Sequence, residues 1–134
     1  AFPAGFFVKF GSEERPSETS YGSGSRMFNF AEGGDFTKGL YFREGYVEYG
    51  STEGHELALE AGKTYKIHFN SAMWKGKNKM TFQIMSVDDP ETALYSQEIT
   101  DIEPDMKGAK TAVNGSVSTE VSFTPEAAGN YLLR

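Results

Sequence analysis

The chain of 134 residues contains no cysteine, which excludes a disulfide framework and any thiolate metal site. Without such cross-links, the fold must be held together by burial of apolar side chains. Histidine is also rare, with only His55 and His68 present. No serine stands in a Gly-x-Ser-x-Gly elbow, so an acyl-transfer triad has no support in the sequence.

Basic residues are few relative to acidic ones: 13 Lys and Arg stand against 19 Asp and Glu, a formal net charge of −6. Binding to a polyanion needs clustered cationic side chains, so we expect no nucleic-acid partner and no membrane partner. Long apolar runs are also lacking, and no stretch of about 18 apolar residues could span a bilayer. The opening Ala1–Gly5 lacks the features of a signal peptide and the end at Arg134 falls in a strand-like run, so we expect a mature or excised module.

Aromatic residues and glycine are plentiful. The chain has 11 Phe, 7 Tyr and 15 Gly, which favours β structure because flat rings pack well on pleated strands and glycine forms tight turns. A length of 134 residues suits one domain with one core. We therefore predict a single all-β domain over residues 1–134.

Two similar phrases, 57–69 and 121–133, carry the clearest structural signal. Each runs from a stretch of alternating apolar and polar residues through an Ala-Gly turn into a second alternating stretch that contains a tyrosine. Alternation with a period of two is typical of strands that are buried on one face. The phrases therefore predict antiparallel strands with one face in a core.

Similar patterns recur along the chain and predict about nine short strands, at the spacing typical of an all-β sandwich. Polar connections at 11–24 and 101–115 predict long surface loops, and 88–92 predicts a turn. No amphipathic helix pattern is present, so we predict a two-sheet antiparallel β-sandwich. The predicted strands are 6–10, 26–30, 40–49 in two short pieces joined at 44–45, 57–59, 65–69, 80–84, 94–99, 117–123 and a last one after 129.

The stretch Leu57–Gly76, followed by Lys79–Ile84 and closed by Val121–Leu133, resembles the second half of jelly-roll carbohydrate-binding modules with the galactose-binding-domain-like fold. The shared features are the Ala-Gly turns, the tyrosine-containing strands and a hairpin partner, and Ser23–Arg26 is similar to the Ser-Gly-x-x that begins an early strand there. The resemblance implies a jelly roll and a non-catalytic domain attached to a glycoside hydrolase. It also implies a bacterial protein that is secreted or held at the cell surface.

Modules of this kind often carry a structural calcium ion. Loop acids such as Asp35, Asp88 and Asp89 offer the oxygen ligands that calcium prefers. No stretch matches an EF-hand loop, and solvated turn acids are the alternative explanation. The opening Ala1–Pro3 and the end at Arg134 also depart from the pattern of these modules, so both explanations stay open.

The only tryptophan, Trp74, lies among polar residues and shares strand parity with His68 and Asn70. If Ile67 and Phe69 face the core, these three side chains face outward. Sugar recognition needs an aromatic ring to stack on the C–H face of a pyranose and polar groups to pair with its hydroxyls. We therefore place a candidate sugar site at Trp74, and the alternative is that Trp74 packs as a lid over the core.

A second aromatic cluster contains Tyr41, Tyr46 and Tyr49, with Arg43 nearby. Alternation leaves one or two of these rings exposed as a platform, while burial in the core is the alternative for each ring. Tyr21 lies in a Ser-Gly-rich run and could close over a bound ligand. The predicted ligand-binding residues are Trp74, Asn70, His68, Gln83, Tyr41, Arg43, Tyr46, Tyr49 and Tyr21.

Three functional hypotheses follow. The first is a carbohydrate-binding module that holds a plant or microbial polysaccharide or oligosaccharide, with the xylan or β-glucan class favoured, and targets a covalently linked catalytic domain to it. The second is an adhesion or spacer sandwich without sugar affinity. The third is a small glycan-active enzyme, which needs two carboxylates in one cleft, and the only pair that strand patterns suggest is Glu48 with Glu56.

Overall fold

The structure is a computed structural model that describes residues 5–10, 13–16, 26–29, 32–35, 38–41, 45–72, 79–100 and 116–134. At 7–10, 13–16, 26–29, 38 and 40–41 the description covers the backbone. Within these ranges every regular element is a β-strand, which confirms the predicted all-β class. The described part of the chain contains no helix long and apolar enough to cross a membrane.

Eleven strands lie within the described ranges, and all of their pairings are antiparallel. They are β1 (Phe6–Phe10), β2 (Glu13–Pro16), β3 (Arg26–Asn29), β4 (Lys38–Tyr41), β5 (Gly45–Tyr49), β6 (Leu57–Leu59), β7 (Tyr65–Ser71), β8 (Met80–Ser86), β9 (Asp89–Ile99), β10 (Val117–Phe123) and β11 (Gly129–Leu133).

Two local predictions were wrong. The predicted loop 11–24 contains β2, which pairs with β1 and is an outermost strand of its sheet; an edge position tolerates the proline at its end. The predicted turn at 88–92 is a tighter turn at Val87 and Asp88, and β9 already begins at Asp89. The predicted loop 101–115 lies outside the described residues.

One sheet holds seven of the described strands, in the order β2-β1-β5-β11-β8-β9, with β6 also paired to β11. β5 and β6 both lie on the same side of β11, because Tyr131 pairs with Leu57 on one side and with Ser86 of β8 on the other. Leu133 likewise pairs with Tyr49 of β5 on the first side. The turn at Gly50 brings the backbone close to β11: a Cβ atom there would lie 2.3 Å from the Tyr131 carbonyl oxygen.

A second sheet of the described strands pairs β7 with β10, and a third pairs β3 with β4. The β7–β10 sheet packs on the seven-stranded sheet through a shared core. Ring centroids of Phe69 and Phe82 lie 4.9 Å apart, and those of Phe123 and Tyr131 lie 5.7 Å apart. Two antiparallel sheets that share one core are compatible with the predicted β-sandwich. The core cluster consists of Leu59, Phe82, Ile84, Ile99, Val121 and Tyr131.

The two similar phrases pair with each other. β6 of the first phrase pairs with β11 of the second, and β7 of the first pairs with β10 of the second. Each Ala-Gly turn therefore carries the chain from one sheet to the other instead of closing a hairpin. The turns also touch, since the Gly62 N–H donates a 2.9 Å hydrogen bond to the Pro125 carbonyl.

Candidate functional site

A carboxylate and a guanidinium are paired on the face of the seven-stranded sheet that points away from the shared core. Tyr49 pairs with Leu133, so Glu48 and Arg134 lie opposite each other on the other face of β5 and β11. Arg134 donates from Nε and Nη2 to Oε1 of Glu48, at 2.9 and 2.6 Å. Glu48 is only 7% exposed. Because Glu48 is buried and its Oε1 accepts two hydrogen bonds, its carboxylate is held in one orientation.

The ring of Tyr46 completes this cluster. The Arg134 guanidinium carbon lies 4.2 Å from the centroid of the half-buried Tyr46 ring, in cation–π contact. Tyr46 and Glu48 are two residues apart on β5, so alternation puts both on the same face as Arg134. The strands thus bring an aromatic ring, a cation and a carboxylate together, although Glu48 and Arg134 are 86 residues apart in the chain.

These three residues line a cleft of about 380 Å³, within the usual range for small-molecule sites. Its polar wall also includes Glu56 and Asn130. Its apolar lining consists of Val87 in the β8–β9 turn, Pro90 at the start of β9 and Leu132 of β11. Gly50 and Ser51, in the connection between β5 and β6, also line the cleft.

Glu56 is an exposed carboxylate at the cleft. Hydrogen bonds from its own backbone N–H and from that of Gly54 lower the pKa of the Glu56 carboxyl, and the charge of His55 acts in the same direction. The Gly54 nitrogen lies 3.1 Å from Oε1 of Glu56. Glu56 is therefore ionised at neutral pH and suits an acceptor better than a proton donor.

The cleft combines groups that a polyhydroxylated ligand can use. Carboxylate oxygens accept hydrogen bonds from hydroxyls, guanidinium and amide N–H groups donate to them, and apolar walls cover C–H surface. Two carboxylates against one guanidinium leave the lining negative, which disfavours anionic ligands.

Two of the sequence-predicted residues lie on this face. Tyr46 lines the cleft, and Gln83 of β8 is the residue paired with Arg134, because each donates its backbone N–H to the carbonyl of the other at 2.9 Å. The Gln83 amide reaches the Ser96 hydroxyl of β9 at 3.5 Å. The polar row from Glu48 through Arg134 therefore continues across the sheet to Gln83.

The remaining described residues of the prediction lie elsewhere. His68 and Asn70 are exposed on the outer face of β7, which confirms the predicted alternation but places them on the opposite sheet from Tyr46. His68 Nε2 lies 2.7 Å from the Ser118 hydroxyl. Tyr49 points toward the core side, with its ring centroid 4.8 Å from that of Phe6. These three residues do not join the cleft.

Several predicted residues fall outside the description. Trp74, Tyr21 and Arg43 lie outside the described residues, and Tyr41 ends β4 with only its backbone described. Sequence reasoning did not select Arg134 or Asn130. The signal that could have found them is the alternation along β11 and the residue after it. Asn130, Leu132 and Arg134 fall on one face, and Tyr131 and Leu133 fall on the other.

Among the described residues no group of three or more His, Asp or Glu side chains is placed to hold a metal ion. Asp35, one of the loop acids that could offer calcium an oxygen ligand, accepts hydrogen bonds from the Ser116 hydroxyl at 2.5 Å and the Ser116 N–H at 2.9 Å. These two bonds lower the pKa of the Asp35 carboxyl. Asp88 and Asp89 lie at the β8–β9 turn and are exposed.

Comparison of the chain with protein-family models, with curated proteins and with solved structures finds no match.

Proposed function

We propose that the protein is a non-catalytic glycan-binding domain, a β-sandwich with jelly-roll connections that holds a neutral saccharide in the Glu48–Arg134 cleft. The ligand class we favour is a plant or microbial polysaccharide of the xylan or β-glucan type. In this proposal the domain is secreted or displayed by a bacterium and keeps a linked glycoside hydrolase on its substrate.

The observation that carries the proposal is the fixed Glu48–Arg134 pair against the half-buried Tyr46 ring. Sugar hydroxyls bind well to donors and acceptors that are already oriented, because little side-chain entropy is then lost on binding. Glu56 and Asn130 at the same cleft offer further polar contacts, and Val87 is an exposed apolar neighbour at 39%. The negative lining and net charge of −6 favour neutral sugars over uronic acids.

Binding fits this cleft better than glycosidic cleavage. A glycosidase needs one carboxyl that stays protonated long enough to donate to the leaving group, which usually requires a raised pKa. The pKa of Glu56 is lowered, and Glu48 is engaged by Arg134. The pair suggested by strand patterns, Glu48 with Glu56, thus lines one cleft but is poised to accept hydrogen bonds.

A titration with matched asparagine variants tests the proposal. Fluorescence of the single tryptophan and calorimetry are followed with xylan, β-glucan, mannan, cellulose and pectin oligomers. Asn130→Ala removes one amide at the cleft and is expected to weaken binding about five- to tenfold, as expected for one lost hydrogen bond. Asn70→Ala, an exposed amide on the opposite sheet, is the control and is expected to leave binding unchanged.

Three results would contradict the proposal. Loss of binding in Asn70→Ala with Asn130→Ala intact would move the site to the β7–β10 sheet. Release of reducing sugar that disappears in Glu48→Gln would make the protein an enzyme. Absence of binding across the panel would favour the adhesion or spacer domain.

A further inference from the structure

We propose that the open edge of β9 is a docking site for an extended cationic segment of a partner protein, which adds to the seven-stranded sheet as a further antiparallel strand, the orientation of every described pairing. This inference is independent of the glycan-binding proposal. It depends on the hydrogen-bonding geometry, the exposed apolar surface and the charge of β9.

The backbone geometry identifies the groups available at this edge. Gln83 exchanges both of its backbone hydrogen bonds with Arg134, the residue that follows β11, so its N–H and C=O point away from β9. Backbone groups alternate in direction along a strand, and the neighbours of Gln83 therefore point to β9, where they face Tyr95 and Gln97. By the same alternation, the backbone groups of Ser96 and Glu98 point to the other side of β9.

That other side carries no strand in the part of the chain that the structure describes. β9 is the last strand in the sheet order and pairs there only with β8. It spans 11 residues and most of its side chains are exposed, but its ladder with β8 is regular only from Tyr95 to Ile99, because the register shifts twice between Tyr95 and Asp89. An open edge is a template for pairing with another chain, and residues 95–99 are the part of β9 that offers a regular one.

An exposed apolar side chain lies at the middle of this edge. Ile84 pairs with Tyr95 and Met85 pairs with Ala93, so Leu94 is an extra residue in a β-bulge. Leu94 is 55% exposed, the larger of the two values for exposed large apolar residues in the described ranges. An added strand would cover part of this apolar surface.

The negative charge of the β8–β9 hairpin indicates which kind of partner segment could bind at this edge. The hairpin from Met80 to Thr100 carries Asp88, Asp89, Glu91 and Glu98, and it has no Lys or Arg. A second copy of the chain pairing through β9 would bring two hairpins of the same charge sign together, which is unfavourable. A segment with Lys or Arg alternating with apolar residues would pair with the acids and cover Leu94.

The test uses a dye-labelled octapeptide of alternating lysine and valine, titrated by fluorescence anisotropy at about 0.15 M salt to suppress long-range attraction. Two further peptides carry N-methyl groups on one or the other alternate set of amides. We expect one methylated peptide to bind about tenfold more weakly or worse, and the other to bind like the parent, because only one set faces β9. A glutamate–valine peptide is expected not to bind.

Variants of the protein add a second readout. Glu98→Pro removes an N–H from the open side only, so it is expected to weaken binding about tenfold while the β8–β9 ladder is kept. Glu98→Gln is compared with Glu126→Gln, an exposed charge outside β9, and only the first is expected to weaken binding. If Glu98→Pro fails to fold, the comparison of the two methylated peptides still tests strand addition.

Three outcomes would overturn the inference. The first is equal binding of both methylated peptides, which would mean that the association is electrostatic without strand addition. The second is equal binding of the cationic and acidic peptides. The third is a protein dimer in sedimentation experiments that Glu98→Pro dissociates, which would make a second copy the occupant.

Discussion

The Glu48–Arg134 pair is open to a direct measurement of its contribution to stability. The perturbation is Arg134→Met, which keeps the aliphatic length of the side chain but removes the cation. It leaves Glu48, 7% exposed, without the two hydrogen bonds at 2.9 and 2.6 Å. The matched variants are Glu48→Met and the double replacement of both residues by methionine.

The magnitude follows from burial. Removing one partner of a buried ion pair costs about 3–5 kcal/mol. The low end applies because the Arg134 side chain is 22% exposed and the site is not fully dry. Loss of the contact with the Tyr46 ring adds about 0.5–1 kcal/mol. We therefore expect Arg134→Met to lower the free energy of unfolding by about 3–4 kcal/mol.

The other two variants are expected to cost less. In Glu48→Met the remaining Arg134 can turn toward water, so the cost is about 1–2 kcal/mol. In the double variant no buried charge remains, and two methionines fill similar volume, so the cost is below about 1 kcal/mol. The single effects thus add to more than the double effect, and their difference measures the coupling.

Urea unfolding of all four proteins at neutral pH gives these free energies. For a chain of this size 1 kcal/mol corresponds to about 4 °C, so Arg134→Met is expected to lower the thermal midpoint by about 12–16 °C. If Arg134→Met costs less than about 1 kcal/mol and the double variant equals the sum of the singles, the pair behaves as a solvent-exposed ion pair. The reasoning from burial would then be refuted.

Two further predictions concern the backbone and pH. Gly50→Ala is expected to lower the free energy of unfolding, measured with urea, by more than about 3 kcal/mol, because φ is +112° and the new Cβ would meet the Tyr131 carbonyl. The control is Gly62→Ala, at φ +77° with open space around it, which is expected to cost about 1 kcal/mol. Equal costs for the two variants would contradict the close approach of the backbone at Gly50. The Asp35–Ser116 hydrogen bonds lower the pKa of Asp35 in the folded state, so their stabilisation is present at neutral pH and is lost as pH falls below about 4. Protection of the Ser116 amide against hydrogen exchange should follow that change and be absent in Asp35→Asn; protection that persists at low pH would count against it.

Part of the candidate site could be predicted from the sequence. Alternation in β5 places the side chains of Tyr46 and Val47 on opposite faces of the strand. Alternation in β7 places His68 and Asn70 outward, and the structure confirms this. Local patterns could not assign these side chains to the same or to different sheets. The structure puts Tyr46 and Gln83 on one face and His68 on the other sheet, because β7 pairs with β10 while β5 pairs with β11.

The sequence by itself determined the all-β class, the positions of most strands and, for β7 and β10, the face that is buried. These features depend on local alternation with a period of two, which neighbouring residues specify. Only the tertiary structure decided that the phrases 57–69 and 121–133 cross between sheets and pair with each other. An Ala-Gly turn permits either a hairpin or a crossover. Whether such a turn forms a hairpin or a crossover depends on which distant strands bury the most apolar surface together. The contact between Glu48 and Arg134 depends on the same pairing of distant strands.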